Sequence, residues 1–210
     1  MRYNELTFQG RNAVLEAFRS GKTIDKLFIL DGCQDGPIKS IVREAKKTDA
    51  IINYVDKERL DRLAGTGHHQ GVVAIGAAYE YAEVEDILAA AKEKGEDPFI
   101  FILDEIEDPH NLGAIIRTAN LAGAHGVIIP KRRAVGLTAT VAKTSAGAIN
   151  YTPVAKVTNI SQTIEELKKQ GLWFVCADMG GETMYNLNLK GPIGLVTVSY
   201  THLTLPTKLE

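Results

Sequence analysis

Asp108-Pro109-His110-Asn111-Leu112-Gly113-Ala114-Ile115-Ile116-Arg117-Thr118-Ala119-Asn120-Leu121-Ala122-Gly123-Ala124 follows the apolar run Phe99-Ile100-Phe101-Ile102-Leu103. The run is short, rich in β-branched and aromatic residues, and opens just after Pro98, as a buried strand does. In the stretch after it, Leu112, Ile115, Ile116, Ala119 and Leu121 recur at helical spacing. Asn111 takes the N-cap position of a helix over 111–122, and Gly123 marks its end. A polar loop, Asp104 to His110, is thus brought to the carboxyl end of a strand, where open α/β sheets bind ligands.

The same alternation continues outward. Strands are predicted at 99–103, 126–129, about 153–156, 172–176 and 193–196, and helices at 111–122, 138–146 and 160–170. Asn159-Ile160-Ser161-Gln162 has an N-cap with Gln at the third helical position. Strands alternating with helices indicate a parallel sheet covered on both faces, an α/β fold. Upstream, helices at 12–19, 37–47 and 57–63 alternate with strands at 26–30, 51–54 and 71–77. This is a second, smaller α/β unit over 1–79. The charged segment 80–97, with a short helix from Glu85 to Lys94 and a breaker at Pro98, reads as the linker.

The chain has 210 residues, 45% of them hydrophobic, enough for one or two modest cores. No apolar run approaches membrane-spanning length and the N-terminus is not a signal peptide, which fits a cytoplasmic protein. Cys33 and Cys176 stand far apart with no metal-ligand spacing, so they read as small residues in a reducing compartment and no metal site is expected. His68-His69 reads as a turn. The formal net charge of −2 argues against nucleic-acid binding by bulk positive charge. A partner RNA would be met by local patches and recognised by shape or exposed bases. Lys131-Arg132-Arg133 is the one dense basic cluster, directly after a strand. It suits either phosphate contact or plain solvation. No Gly-x-Gly-x-x-Gly follows the first strand of either unit, against a Rossmann cofactor site, and no Gly-x-Ser-x-Gly or paired carboxylates point to a hydrolase.

Asn111 and Arg117 are six residues apart and project on helix faces about 120° apart. Their spacing alone favours a helix cap and a solvated arginine over a functional pair, because caps and surface arginines are common. The whole string Asn111-Leu112-Gly113-Ala114-Ile115-Ile116-Arg117-Thr118-Ala119 resembles the first signature of the SpoU (TrmH) family of RNA ribose 2′-O-methyltransferases, of the SPOUT superfamily. Gly10-Arg11-Asn12-Ala13-Val14-Leu15-Glu16-Ala17-Phe18, His69-Gln70-Gly71-Val72-Val73, Ala124 to Arg133, Leu137-Thr138 and Lys143 to Ala148 also resemble that family. The likeness runs from about Gly10 to Val196. It is strongest to the bacterial enzymes that methylate a guanosine ribose in the 23S RNA of the large ribosomal subunit.

The resemblance implies a trefoil-knot catalytic domain over 98–196 and an N-terminal L30-like RNA substrate-binding domain. The cofactor is then S-adenosyl-L-methionine, the partner ribosomal RNA, and the assembly a homodimer. Arg117 and Asn111 become the catalytic residues. Arg117 is suited to hold a phosphate and stabilise oxyanion character, because a guanidinium holds its proton too firmly to serve as a base. Asn111 both donates to and accepts from the ribose or the backbone around it. Ala177, Asp178, Met179, Gly180 and Leu195 fall in the cofactor-binding part. Arg11, Lys131, Arg132 and Arg133 are the RNA contacts, while Arg2, Arg19 and Lys22 add scattered positive charge. Transfer RNA is the alternative substrate, and a non-catalytic RNA-binding or ribosome-assembly protein on the same fold is the alternative class. Family members continue past Val196 into a Gly-x-Glu-x-x-Gly signature and a third, Asn-rich one. Here the sequence is Thr197-Val198-Ser199-Tyr200-Thr201-His202-Leu203-Thr204-Leu205-Pro206-Thr207-Lys208-Leu209-Glu210, which resembles a translated sequencing-adapter run from Val198 to Thr207. The expectation is a non-family tail over 197–210, an incomplete knot, and a 210-residue polypeptide that binds S-adenosyl-L-methionine poorly, does not methylate RNA and tends to aggregate.

Overall fold

The computed structural model describes residues 6–48, 50–65, 67–177 and 180–198. They form two compact units. One holds the chain up to Glu80 together with Gly136–Ala139, the other Tyr81–Val135 and the chain from Thr140.

The first unit is built on strands β1 (Leu6–Gln9), β2 (Ile24–Leu30), β3 (Ile51–Val55) and β4 (Val72–Gly76), in the order β1-β4-β2-β3. Only β2 and β3 pair in parallel; β4 runs antiparallel to both its neighbours. Helices α1 (Arg11–Arg19), α2 (Gly36–Lys47) and α3 (Lys57–Ala64) cover the sheet. The pleat of β2 explains the layering, since successive side chains point to opposite faces. Leu27 and Ile29 join Val14, Phe18, Ile38 and Ile41 of α1 and α2, while Phe28 joins Val55, Val73 and Leu60 of α3. Strand β1 was not expected: it has four residues, none fully buried, at the sheet's edge, so it carries little hydrophobic signal.

The second unit is a five-stranded sheet of β5 (Phe99–Asp104), β6 (Gly126–Pro130), β7 (Val154–Val157), β8 (Trp173–Cys176) and β9 (Ile193–Val198). Every pairing is parallel and the order is β7-β6-β5-β9-β8. Helices α4 (Val84–Lys94), α5 (Pro109–Leu121), α6 (Ala139–Thr144) and α7 (Ile160–Lys169) alternate with these strands. Ile100, Ile102, Ile128 and Val196 pack with Ile87 of α4 and Leu167 of α7. Phe101, Leu103, Val127 and Ile129, of opposite parity, are equally buried.

Two expectations are corrected. Residues 80–97 are no linker, because α4 buries Ile87 and Ala91 in the second unit. Gly126 of β6 is what lets α4 lie so close: a Cβ there would stand 2.5 Å from Ile87 Cδ1. Its charged flanks hid a stripe only two buried residues wide. Residues 197 and 198 do not begin a separate tail either; they extend β9 and pair with Leu103 and Asp104 of β5. Residues 199–210 lie outside the described residues.

Candidate nucleic-acid and cofactor site

The strand order creates a switch point at β5. The chain leaves β5 for β6 and β7 on one side, crosses through α7 to β8 at the far edge, and then lays β9 between β8 and β5. With all strands parallel, the segments after β5, β6 and β8 emerge at one edge, beside the end of β9. This carboxyl edge is where such sheets bind ligands.

Helix α5 starts at that edge. Its N-cap is Asp108, not Asn111. The Asp108 carboxylate accepts a hydrogen bond from His110 N at 3.0 Å, and Pro109 fills the first helical position, where no N–H is missed. Asn111 is therefore the third helical residue and is exposed. The signal for the true start was the Asp-Pro pair itself. Arg117 is also exposed and makes no ion pair among the described residues. It lies about 9 Å further along the helix axis, on a face about 120° from Asn111. One helix thus presents both residues, but it does not bring them side by side.

What fixes α5 is Gly113, whose role sequence reasoning left unassigned. It is buried, and a Cβ added there would collide with Thr144 Oγ1, stand 2.8 Å from Thr144 Cβ and 2.9 Å from Ser145 N. Only a glycine allows α5 and the end of α6 to approach so closely. Thr144 Oγ1 in turn donates within hydrogen-bond distance of Pro109 O (3.3 Å) and Thr140 O (2.9 Å). At the other end, Asn120 Nδ2 donates to Thr152 Oγ1 at 3.0 Å. A lone glycine inside a helical pattern was the available signal.

The basic cluster leaves the end of β6. Lys131 N donates to Val157 O at 2.7 Å, which holds the cluster's first residue against β7. Arg132 is exposed. Arg133 Nη1 pairs with Glu105 Oε1 at 2.8 Å, and Val135 N donates to Ile106 O at 3.0 Å, so the loops after β5 and β6 are joined twice.

Of the expected cofactor residues, Ala177 and Gly180 are exposed in the loop after β8, and Ala177 N donates to Val196 O at 2.8 Å. Asp178 and Met179 lie outside the described residues. Leu195 is inside β9, half-buried and in register with Phe101 and Val175, away from the strand's end. Arg11 belongs to the first unit and is engaged there: Nη2 pairs with Asp35 Oδ2 at 2.6 Å and Nε donates to Gln70 O at 3.1 Å. It ties the N-cap of α2 to the loop before β4. His69, expected in a turn, is buried there, accepting from Gly71 N at Nδ1 (3.0 Å) with Nε2 2.9 Å from Asp61 Oδ1. Among the described residues no three His, Cys, Asp or Glu side chains are grouped to hold a metal. A cavity of about 260 Å³ opens elsewhere in the second unit, lined by Glu83, Lys156, Thr158, Glu166 and others; no signature residue lines it.

Comparison with known proteins bears on this edge directly. Residues 98–197 match the SpoU rRNA methylase family, and residues 9–82 match the RNA 2′-O ribose methyltransferase substrate-binding family. A protein of Bacillus subtilis (strain 168), YacO, named for the TrmH family of tRNA/rRNA methyltransferases, is 51% identical over 188 residues, 89% of this chain and 75% of its own length. The chain belongs to the SpoU (TrmH) family. A relative of Staphylococcus haemolyticus, named for the same family, is 47% identical over 181 residues, covering 86% of this chain and 72% of its own. The fold is that of solved SpoU-type enzymes. An rRNA methyltransferase from Sinorhizobium meliloti superposes with a TM-score of 0.51 at 23% identity, over 94% of this chain and 73% of its own. The SpoU methyltransferase AviRb from Streptomyces viridochromogenes, solved with AdoMet, gives 0.52 at 19% identity, over 94% and 74%. In this SpoU chain the family match over 98–197 runs from β5 to the last but one residue of β9, and so contains the segments that follow β5, β6, β7 and β8.

Proposed function

We propose that the protein transfers a methyl group from S-adenosyl-L-methionine to the 2′-hydroxyl of a ribose, a guanosine ribose in 23S ribosomal RNA, in the cytoplasm and as a homodimer. The observation that carries this is the display of Asn111 and Arg117 on α5, at the switch-point edge of a parallel sheet that matches the SpoU family. No helix among the described residues is long and apolar enough to cross a membrane.

The cofactor fits what the chain offers. The loop after β8 begins at this edge with exposed Ala177 and Gly180, and the space around Gly180 is open, so backbone can approach a ligand. When bound, S-adenosyl-L-methionine supplies an electrophilic sulfonium methyl. The protein's share is positioning and electrostatics. Asn111 hydrogen-bonds the ribose, and Arg117 holds the neighbouring phosphate and offsets negative charge growing on the 2′-oxygen as the hydroxyl proton passes to solvent water. Lys131, Arg132 and Arg133 take further phosphates, and the first unit selects the RNA. Arg11 holds that unit's loops through Nη2 and Nε, and its remaining N–H groups are offered to RNA.

The test is transfer of labelled methyl to ribosomal RNA by a full-length preparation, with mapping of the modified nucleotide. Transfer RNA is the second reading, favoured by the tRNA/rRNA names of the relatives. Competing 23S and transfer RNA transcripts in one reaction separate the two. RNA binding with no methyl transfer to either would support the non-catalytic class instead.

A further inference from the structure

Two residues at the carboxyl edge hold backbone conformations that side chains disfavour. Glu105, the first residue after β5, has φ 57°, and Arg133, in the loop after β6, has φ 56°. Neither is a glycine, and both sit in the left-handed region, which side chains occupy at a cost unless the surroundings impose it. Their side chains meet in the 2.8 Å ion pair. The two partners differ sharply in exposure: the Glu105 side chain is 15% exposed and that of Arg133 76%. The carboxylate is embedded and the guanidinium stands outside it.

We propose that Glu105 is a positioning residue that aims Arg133 at an RNA phosphate. The inference rests on the RNA-methyltransferase reading and names a device within that site. A guanidinium has donors on more than one edge. Nη1 is held by Glu105, and the rest of the fork is presented to solvent beside Lys131 and Arg132. Anchoring one edge removes rotamer freedom before RNA arrives, so less is lost when the other edge pairs bidentately with a phosphodiester. The second tie between the loops, Val135 N to Ile106 O, keeps the two anchor points in register.

Simple electrostatics predicts the opposite sign, which makes the test sharp. Removing a carboxylate from a chain of net charge −2 favours RNA by Coulomb attraction alone. The measurement is fluorescence anisotropy with a labelled RNA hairpin, across a salt series, on the full chain. E105Q keeps the side chain's shape, and E105G suits φ 57°, so at least one of them folds like the parent. Both are expected to bind at least threefold more weakly. R133A is expected to lose one phosphate contact, flattening the plot of log affinity against log salt by roughly 0.7–0.9. R133K keeps the charge without the fork and is expected to lose affinity as E105Q does. In the E105Q background the cost of R133K is expected to shrink, because the fork is no longer aimed there. Unchanged or tighter binding by E105Q and E105G, or additive effects of E105Q and R133K, would overturn the proposal while leaving the function intact. Failure of the parent chain to bind any RNA would instead sink the functional reading, and this one with it.

Discussion

Substituting Gly113 by alanine sets two known effects against each other. Glycine inside a helix is worse than alanine by about 1 kcal/mol, so an unhindered position would gain that much. Gly113 is hindered on two sides. The new Cβ meets the Thr144 hydroxyl, lies 2.8 Å from Thr144 Cβ and 2.9 Å from Ser145 N. A rotamer change moves Oγ1 but neither of the other two atoms, and Ser145 N is itself held by Val141 O at 2.9 Å. Relief needs α5 to shift against α6, which also pulls on the Thr144 contact to Pro109 O. Overpacking of this kind costs roughly 1–3 kcal/mol, and backbone involvement puts it at the upper end. The net expectation is a loss of about 2 kcal/mol, or roughly 4–8 °C in melting temperature for a chain of this size. Trp173 is the single tryptophan and belongs to the second unit, so its fluorescence in urea or on heating reports the right part of the molecule. Thr144→Ala removes the first obstruction and leaves the others, so the double mutant should be less destabilised than the sum of the singles. A Gly113→Ala protein that melts at or above the parent temperature would refute the argument, because propensity would then have won over packing.

Other substitutions separate scaffold from chemistry. Asp108→Ala removes the cap of α5 and should cost about 0.5–2 kcal/mol, whereas Asn111→Ala, at an exposed third position, should stay within roughly 0.5 kcal/mol of the parent; chemical denaturation of the two side by side is the check. Arg117→Ala should leave the melting temperature unchanged and lower methyl transfer by about 10²–10³-fold; loss of RNA affinity with intact single-turnover transfer would reduce Arg117 to a phosphate contact. His125 is buried, with Nδ1 accepting from Phe99 N at 3.1 Å and Nε2 3.0 Å from Glu96 Oε2. His125→Ala orphans that N–H at the start of β5 and should cost about 1–3 kcal/mol, read from the urea midpoint at constant slope.

Much of this architecture is legible in the sequence because periodicity is strong where burial is two-sided. Phe99 to Leu103 announces a central strand, and each predicted strand of the second unit lies within a residue or two of its observed place. The signal fades where burial is one-sided or narrow. Strand β1 has no buried residue and so leaves no periodic signal, and α4 rests on Ile87 and Ala91 amid charge, so its sequence reads as part of a linker. Asn111 and Asp108 are both good caps, and only the geometry of Pro109 decides between them. The site is less legible than the fold because pairing across loops leaves no trace in spacing. Nothing in the chain's order says that Arg11 pairs with Asp35 or that Glu105 reaches Arg133.

The place of β9 has a consequence for how the chain is made. Strand β5 can pair with β6 soon after both are synthesised, but its other neighbour, β9, arrives only after β6, β7 and β8 have passed. Until then the two strands destined to flank β9 have no ladder between them, and the apolar edge of β5 stands open in a nascent chain. Contacts this remote in sequence slow folding and lengthen the time during which an unpaired edge can meet another copy. Production at low temperature, or with chaperones that shield an open edge, should therefore raise the soluble yield of this protein more than it does for folds whose sheets grow outward in the order of synthesis.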